Sequence, residues 1–481
     1  MLAILKKLAK LILVIIVFTG SYQWWKPAPD FLLAGDTTYL VPEKSVSFYA
    51  DTTFTDATGE RQMKQEIWDR VFTLIGDAQH YILADVFLFN DFQGSAPETH
   101  RKLSSEFAEK LISSRAEHPH IAITVVTDPI NTVYGGVTAP RMEAMRKAGI
   151  AIIETNLTPL RDSNLLWSAI WRPFFSWFGN STEHGWVKHP FQADGQKVSL
   201  RSWFALLNFK ANHRKIIVAD RPGDKMTTFV TSSNPHDGSS AHGNVALEVD
   251  DAVWKSVVEG ENMVARLGDG GIATYDTSKI KDEVGTISVQ LLRDRAIKTK
   301  VLDILAGAKR GDSFALAMFY LSDRDIVVGL IDAANAGADI RIVLDPNKDA
   351  FGFEKNGIPN RPVAKELTRR SGGDIQIRWC DTHGEQCHAK LFMGTTATSS
   401  FLIVGSANFT RRNVGDFNLE ASIIASSPDK FQAWTKALAY FDTIWFNKEA
   451  TYTVDYATYE DTTWWKSPIY RMQERTGISS F

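Results

Sequence analysis

The sequence predicts an α/β protein made of two domains with the same internal order. The chain has 481 residues, which is too long for one ordinary core and makes two domains the expectation. Near-continuous apolar runs at 80–89 and 313–320 are typical of strands buried on both faces of a parallel sheet. Helical segments alternate with further strands after each run, and one strand in each half ends in Asp-Pro, at Asp128 and Asp345. We therefore predict mostly parallel core sheets in both halves.

The separate elements follow from the period of the apolar residues. Helical spacing predicts helices over 63–75, 103–114, 142–148, 301–308 and 325–336, and apolar runs predict strands over 80–89, 121–126, 150–154, 313–320, 340–347 and 375–379. The repeat is much too long for a solenoid, so we interpret it as the duplication of a whole domain.

We divide the chain into five parts. They are an N-terminal signal-anchor (1–26), a linker (27–45), a first domain (46–265) with an aromatic insertion (160–205), a second domain (285–450) and a C-terminal aromatic tail (451–481). The insertion has no counterpart in the second half. Its Trp and Phe residues suit either a lipid headgroup boundary or a hydrophobic plug packed on the domain. We expect it to form one wall of the site.

The N-terminus departs from the composition of a soluble protein. Three lysines precede the apolar run Leu11–Phe18, and Trp24 and Trp25 follow where an interfacial aromatic belt would lie. We interpret this segment as an uncleaved membrane helix, the alternatives being a cleaved secretory signal and a buried helix. With the lysines in the cytoplasm, the catalytic part would be extracytoplasmic, on the periplasmic or cell-surface side.

Charge and cysteine content limit the classes of function. A net charge of -3 weighs against a dedicated nucleic-acid binder, which usually carries a basic excess. The two cysteines, Cys380 and Cys387, suit either a short disulfide loop or two buried thiols. We expect no structural zinc, because no further Cys and no Cys/His cluster has ligand spacing.

Two matched motifs carry the chemistry. A His and a Lys two residues apart open an apolar strand twice, so in each copy both side chains point to one face. Ser-x-Asn and then Glu follow each copy at similar distances. The first set is His213, Lys215, Asp220, Ser232, Asn234 and Glu248, and the second is His388, Lys390, Ser406, Asn408 and Glu420.

This duplicated pattern resembles that of the phospholipase D superfamily, whose motif is His-x-Lys-x4-Asp followed by Gly-Ser-x-Asn and a later Glu. The resemblance spans about residues 45 to 450, with Thr231 in place of Gly in the first copy and Thr395 in place of Asp in the second. It implies two halves related by a pseudo-twofold axis, with the active site at their interface. It also implies that Glu248 and Glu420 each orient the opposing imidazole.

We predict a phosphodiesterase or transphosphatidylase that needs no metal or other cofactor. The lysines and the amides of Asn234 and Asn408 would gather the phosphate oxygens, and Ser232 and Ser406 would contact substrate. One imidazole would attack phosphorus and the other would protonate the leaving alkoxide. We favour His213 as the nucleophile, because its motif retains Asp220.

The anchor, the aromatic insertion and the balanced charge favour a phospholipid substrate, a membrane partner and a monomeric protein. A cardiolipin synthase-like transfer is one form of this activity. The alternative is a nuclease of the same superfamily, which would need a basic groove and stacking aromatics. A catalytically inactive scaffold or lipid-binding protein is a third possibility, indicated only by the missing second Asp.

Overall fold

The protein, described from a computed structural model, contains two large β-sheets covered by helices. The structure describes residues 1–30, 37–94, 101–268, 270–350, 353–479 and 481. The predicted α/β class is confirmed, because both halves combine a sheet with packed helices.

The first sheet has eight strands in the order β3-β2-β9-β8-β7-β4-β5-β6. These strands are β2 (Val46–Thr55), β3 (Arg61–Lys64), β4 (Tyr81–Val86), β5 (Ala122–Thr127), β6 (Ala151–Glu154), β7 (Lys215–Arg221), β8 (Lys225–Thr231) and β9 (Asn244–Asp250).

The second sheet has nine strands in the order β1-β10-β18-β17-β16-β11-β12-β15-β19. These strands are β1 (Thr38–Val41), β10 (Ile287–Arg293), β11 (Ser313–Met318), β12 (Asp339–Leu344), β15 (Ile375–Cys380), β16 (Lys390–Thr395), β17 (Ser400–Gly405), β18 (Ala421–Ser427) and β19 (Thr453–Asp455). A separate hairpin pairs β13 (Asp349–Ala350) with β14 (Phe353–Glu354).

The helices alternate with these strands. They are α1 (Leu2–Trp25), α2 (Ile67–Asp77), α3 (Leu103–Glu117), α4 (Pro140–Lys147), α5 (Leu165–Phe174), α6 (Leu200–Leu206), α7 (Trp254–Leu267), α8 (Arg295–Ala306), α9 (Arg324–Asn335), α10 (Asn360–Arg370), α11 (Arg411–Val414), α12 (Gln432–Phe446) and α13 (Lys466–Thr476).

The prediction of mostly parallel sheets is wrong. β4, β5 and β6 run parallel in the first sheet, as do β11, β12 and β15 in the second. The strands that carry the motifs pair in antiparallel fashion instead. The reason is connection length, because β7 joins β8 and β16 joins β17 through short turns, whereas parallel neighbours need a crossover.

The two sheets share one hydrophobic core. Val218 and Val230 of the first sheet belong to the same buried cluster as Leu391 and Val404 of the second. Each sheet buries its other face against its own helices. The duplicated halves therefore pack against each other through the strands that carry the motifs.

The predicted N-terminal membrane helix is not supported. Within the described ranges, no helix is long and apolar enough to cross a membrane. The segment does form α1, but the apolar run Leu11–Phe18 rises only about 12 Å, against a hydrocarbon core of about 30 Å. α1 packs instead on α5 of the aromatic insertion, where a Cβ added at Gly20 would lie 3.4 Å from the Cβ of Ala169. Further along, Thr38–Val41 of the predicted linker forms β1 and pairs with β10.

Candidate active site

The two His-x-Lys segments meet at one cavity between the halves. His213 and His388 lie just before β7 and β16, and both line a cavity of about 420 Å³. Each imidazole residue is 8% exposed, so the rings are accessible at the cavity wall but otherwise enclosed. Lys215 and Lys390 lie behind them, where each Nζ donates to the carbonyl of its own motif histidine, at 2.6 and 2.8 Å.

Reciprocal backbone hydrogen bonds fix this meeting of the halves. The His213 N–H donates to the Leu419 carbonyl at 2.9 Å, and the His388 N–H donates to the Gly243 carbonyl at 2.7 Å. Each histidine is thus hydrogen-bonded through its backbone to a residue of the other half. The residue that follows this acceptor in the sequence lies beside the imidazole of that histidine.

For His213 that residue is Glu420. A Glu420 carboxylate oxygen lies 2.9 Å from His213 Nδ1. The carboxylate also accepts hydrogen bonds from the Ser406 hydroxyl and from the Asn413 side-chain amide. Burial opposes its charge, but His213, Lys215 and Ser406 together hold the pKa of Glu420 below its ordinary value. An ionised carboxylate therefore stands behind this ring.

For His388 the corresponding residue is Asn244, not Glu248. Asn244 Oδ1 lies 3.2 Å from His388 Nδ1 and accepts from the Ser232 hydroxyl at 2.9 Å. The Val245 N–H donates back to the Ser232 hydroxyl, as the Ala421 N–H does to Ser406. Asn244 thus occupies the place that Glu420 has in the other half, with a neutral amide.

The sequence-based placement of Glu248 beside His388 is therefore a misalignment. Glu248 lies in β9, four residues beyond Asn244, and its carboxylate binds the Arg70 guanidinium through both oxygens, at 2.7 and 2.5 Å. The sequence-based match rests on a glutamate at a similar distance after each Asn, whereas the partner of His388 is an amide. Asn244 was missed for that reason.

Asp220 lies at the far end of β7, away from the cavity. Its carboxylate accepts the backbone N–H groups of His80 and Tyr81, at 3.0 and 2.8 Å, and so ties β7 to the start of β4. In the second half Thr395 holds the same position and its hydroxyl lies 3.2 Å from that of Ser313. The replacement of Asp by Thr therefore alters a strand end and not the cavity. Asp220 is thus no reason to prefer His213 as the nucleophile.

The remaining predicted residues divide between the cavity and the layer behind it. Asn234 and Asn408 line the cavity with both imidazoles. Asn234 Oδ1 accepts a hydrogen bond from the Leu88 N–H at 3.2 Å, so the side-chain nitrogen of Asn234 points away from Leu88. Ser232 and Ser406, predicted to contact substrate, are fully buried and instead position the partners of the two histidines.

A matched pair of phenylalanines was also missed. Phe87 and Phe319 directly follow β4 and β11, and each ring packs on one imidazole, with centroids 4.8 Å from His213 and 4.9 Å from His388. Lys215 Nζ lies 5.0 Å from the Phe87 ring and Lys390 Nζ lies 5.4 Å from the Phe319 ring. The repeated apolar runs contained this signal, because each phenylalanine lies near the end of its run and directly follows the strand.

The burial of this cluster disfavours positive charge in the substrate-free site. It lowers the pKa of His213 to about 4 and that of Lys215 to about 7, although Glu420 acts in the opposite direction on both. Burial, aided by repulsion between neighbouring cations, also lowers the pKa of His388 and of Lys390 well below their ordinary values. The substrate-free site therefore has too little negative charge to keep these four groups protonated.

Two buried aspartates hold the chain just before each histidine. Asp128 accepts the Asn212 N–H at 2.7 Å and Asp345 accepts the Cys387 N–H at 2.8 Å. Cys387 also forms a disulfide with Cys380, which decides between the two possibilities that the sequence left open. The backbone that carries each imidazole is thus fixed from both sides.

The lining of the cavity combines apolar and polar side chains. Its apolar and aromatic residues include Leu88, Phe92, Ile130, Tyr134, Pro190, Phe191, Leu206 and Phe209. Three of these residues, at 190, 191 and 206, come from or adjoin the aromatic insertion. Its polar residues include Lys355, Gln386, His242, Asn413 and Asn418.

Comparisons with known proteins agree with this geometry. Residues 301–445 match the family model described as cardiolipin synthase, PLD-like domain. The crystal structure of phosphatidylserine synthase from Haemophilus influenzae Rd KW20 matches with a TM-score of 0.55 and 9% identity, covering 93% of this chain and 96% of that one. The family model thus confirms the resemblance to the phospholipase D superfamily over residues 301–445.

Two further solved structures match at lower TM-scores. Nuc from Salmonella typhimurium, a phospholipase D family member, has a TM-score of 0.27 and 19% identity, covering 35% of this chain and 99% of that one. The yeast tyrosyl-DNA phosphodiesterase has a TM-score of 0.38 and 9% identity, covering 79% of this chain and 88% of that one. A search of curated proteins found no match.

Proposed function

We propose that this chain is an enzyme of the phospholipase D superfamily and that it cleaves or transfers the headgroup phosphodiester of a phospholipid. The observation that carries the choice of substrate is the largely apolar lining of the cavity that holds the two imidazoles. A phospholipid has an apolar diacylglycerol on one side of its phosphate and a polar headgroup on the other. The cavity of His213 and His388 combines apolar side chains, which suit the diacylglycerol, with polar ones, which suit the phosphate and the headgroup.

The cations of the cavity wall favour lipid over nucleic acid. Lys210 binds the Leu157 and Leu160 carbonyls and Asp162, and Arg412 binds the carbonyls of Gly477 and Ser479. Lys355 contacts the Tyr320 hydroxyl. These cations are engaged within the protein, whereas a nuclease uses a row of cations to follow successive phosphates.

In the proposed reaction, His213 Nε2 attacks phosphorus and forms a phosphohistidine while the headgroup alkoxide leaves. The negative charge of the bound phosphodiester raises the pKa of His388, and the protonated ring gives its proton to that alkoxide. It then removes a proton from water or from an acceptor alcohol, whose oxygen attacks phosphorus and breaks the P–N bond. We assign the nucleophilic role to His213 because the Glu420 carboxylate at its Nδ1 stabilises the positive charge of the phosphorylated ring.

The lysines and amides would bind the non-bridging oxygens. A bound phosphodiester supplies the negative charge that Lys215 and Lys390 lack in the empty site. It therefore raises the pKa values of both ammonium groups. Asn234 and Asn408 add neutral donors at the cavity wall. Together these groups would stabilise the charge that develops in the transition state.

We also propose that the enzyme acts outside the cytoplasm and at a lipid surface. The Cys380–Cys387 disulfide supports an oxidising compartment. Exposed apolar side chains on α1 and α5, among them Phe18 and Leu166, support contact with lipid at the interface. A monomer remains our expectation.

The test is incubation of the purified protein with labelled phosphatidylglycerol, phosphatidylethanolamine and short single-stranded DNA, followed by identification of the products. We expect release or exchange of a lipid headgroup and intact DNA. Cleavage of DNA with unchanged lipid would instead favour the nuclease. The labelled phosphoprotein is also tested for stability in acid and in base. Phosphohistidine is stable in base but hydrolyses in acid.

A further inference from the structure

A second pocket, of about 600 Å³, lies apart from the catalytic cavity, and seven of its fifteen lining residues are cationic. It is bounded by the C-terminal end of α1, the start of α5, α8, α9, α11 and α13, and shares no lining residue with the catalytic cavity. Its cationic side chains are Arg161, Arg295, Lys298, Arg324, Arg411, Arg471 and Arg475, and its acidic ones are Asp323, Asp325 and Glu474.

Part of this charge is neutralised by neighbours. Lys298 Nζ lies 2.8 Å from Asp323 and 2.7 Å from Asp325. Arg324 and Arg471 both bind Glu366. These contacts account for three of the cations and leave the guanidinium groups near α11 as the unbalanced part of the pocket.

Two of those guanidinium groups share one aromatic ring. The centres of the Arg161 and Arg411 guanidinium groups lie 4.6 and 4.3 Å from the centroid of Phe417. Burial lowers the pKa of each guanidinium group, a nearby carboxylate raises it in part, and a neighbouring arginine lowers it further. Packing on this ring holds two positive charges close together, and their repulsion costs free energy. A bound anion would offset that repulsion.

The nearby carboxylates do not supply that anion in full. Asp416 is buried and binds Arg295 Nε at 2.8 Å, but lies 4.0 Å from the nearest Arg161 nitrogen. Glu474 accepts the Arg411 backbone N–H at 2.6 Å, and burial raises its pKa to about 7, which weakens its negative charge near neutral pH. Arg475 adds an exposed cation at the rim.

Unsatisfied polar atoms also point to a ligand. Arg161 Nε is a buried donor without a hydrogen-bond partner in the part of the chain that the structure describes. The side chain of Gln23, which is 5% exposed and lines the same pocket, likewise has an unpaired Oε1 among the described residues. Buried polar groups are normally paired, so these atoms indicate a hydrogen-bonding ligand.

We infer that this pocket binds a phosphate group through Arg161, Arg295 and Arg411. Guanidinium groups match the oxygens of phosphate and form charge-assisted hydrogen bonds to them. The phosphate could belong to a soluble phosphate ester or to the headgroup of an anionic phospholipid, since Trp24 and the exposed face of α5 adjoin the pocket. The site would hold the ligand without reacting with it, because its lining residues include no histidine.

The first test measures the number of inorganic phosphate ions bound per chain by equilibrium dialysis. The variant is Arg161→Gln/Arg411→Gln, and the matched control is Arg369→Gln, an exposed arginine of α10 outside both pockets. We expect wild type and control to bind two phosphates, one in each pocket, and the double variant to bind one. Affinity at the second site should fall by at least about tenfold for each guanidinium removed.

Failure of this inference can be separated from failure of the proposed function. If the catalytic cavity binds no phosphate, wild type binds one and the double variant none. A double variant that binds as many phosphates as wild type, with equal affinity, overturns the second site. Turnover should be retained by the variant, because none of its substitutions reaches the catalytic cavity.

The source of the phosphate is decided with vesicles. Flotation compares vesicles of phosphatidylglycerol in phosphatidylcholine with vesicles of phosphatidylcholine alone. Selective loss of the anionic-vesicle binding in the double variant assigns a lipid headgroup, and unchanged vesicle binding with loss of one phosphate assigns a soluble ester. If thermal unfolding shows that the double variant is damaged, Arg295→Gln replaces it, since Arg295 is 54% exposed.

Discussion

Replacing Glu420 by Gln removes the negative charge behind His213 while keeping the size of the side chain. The Glu420 carboxylate lies 2.9 Å from His213 Nδ1, so the centres of the two charges are about 4 Å apart when the ring is cationic. At an effective dielectric constant of about 20, their attraction is about 4 kcal/mol. Part of it is retained through the hydrogen bond, so we expect kcat to fall by about 10² to 10³-fold.

The matched control is Glu248→Gln. Glu248 is also buried but pairs with Arg70, so its replacement should reduce stability and leave kcat close to wild type. The sequence-based alignment predicts a loss of kcat in this variant as well, because it places Glu248 beside His388. The result for Glu248→Gln therefore distinguishes the structural assignment from the sequence-based one.

Steady-state kcat with a phospholipid substrate and rapid-quench trapping of the phosphohistidine give two independent measurements. The variant should form the intermediate more slowly and hold less of it at steady state. Thermal unfolding is followed in parallel, because the Gln amide cannot accept from both Ser406 and Asn413 as the carboxylate does. A folded Glu420→Gln protein with kcat within threefold of wild type would refute the role of this carboxylate.

Three further outcomes are expected. His213→Ala and His388→Ala should each lower kcat by roughly 10⁴-fold without unfolding the protein, and near-normal turnover in either would contradict the shared site. Burial lowers the pKa of Lys215 to about 7, and an anion requires its protonated form. The Kd of dimethyl phosphate, measured by calorimetry, should therefore rise up to tenfold per pH unit above pH 7. This pH dependence should be weaker in Lys215→Gln. A wild-type Kd that does not change with pH would contradict the reasoning. Replacing Cys380 and Cys387 by Ser should lower the free energy of unfolding by about 2 kcal/mol in urea titrations under oxidising conditions, and an unchanged midpoint would show that the loop is held without the disulfide.

The sequence predicted well what depends on local pattern. The helix predicted to begin at Leu103 begins there, and the strands predicted at 313–320 and 375–379 appear as β11 and β15 with shorter or nearly equal bounds. Apolar period and strand length are properties of a few consecutive residues, so they can be read without knowledge of the partner strand. The direction of the pairing depends on connections and tertiary contacts, and there the prediction of mostly parallel sheets was wrong.

The site shows the same division between local and non-local information. His-x-Lys is a local pattern, and both copies lie at the cavity. The partner of each imidazole comes from the other half, through the reciprocal hydrogen bonds at Leu419 and Gly243. A spacing rule that looks for an acid after each Asn cannot identify an amide in that place, so it selected Glu248 and overlooked Asn244.

In the proposed mechanism, the difference between Glu420 and Asn244 gives the two motifs unequal roles. The serine and backbone contacts behind the two histidines correspond, and the partner of Nδ1 differs between the imidazoles. A carboxylate stabilises a ring that stays cationic through a covalent intermediate, whereas an amide fixes orientation without favouring charge. An imidazole without a carboxylate releases its proton more readily, which suits the acid that serves the leaving group. One substitution behind the histidines would thus give a duplicated fold a directional reaction.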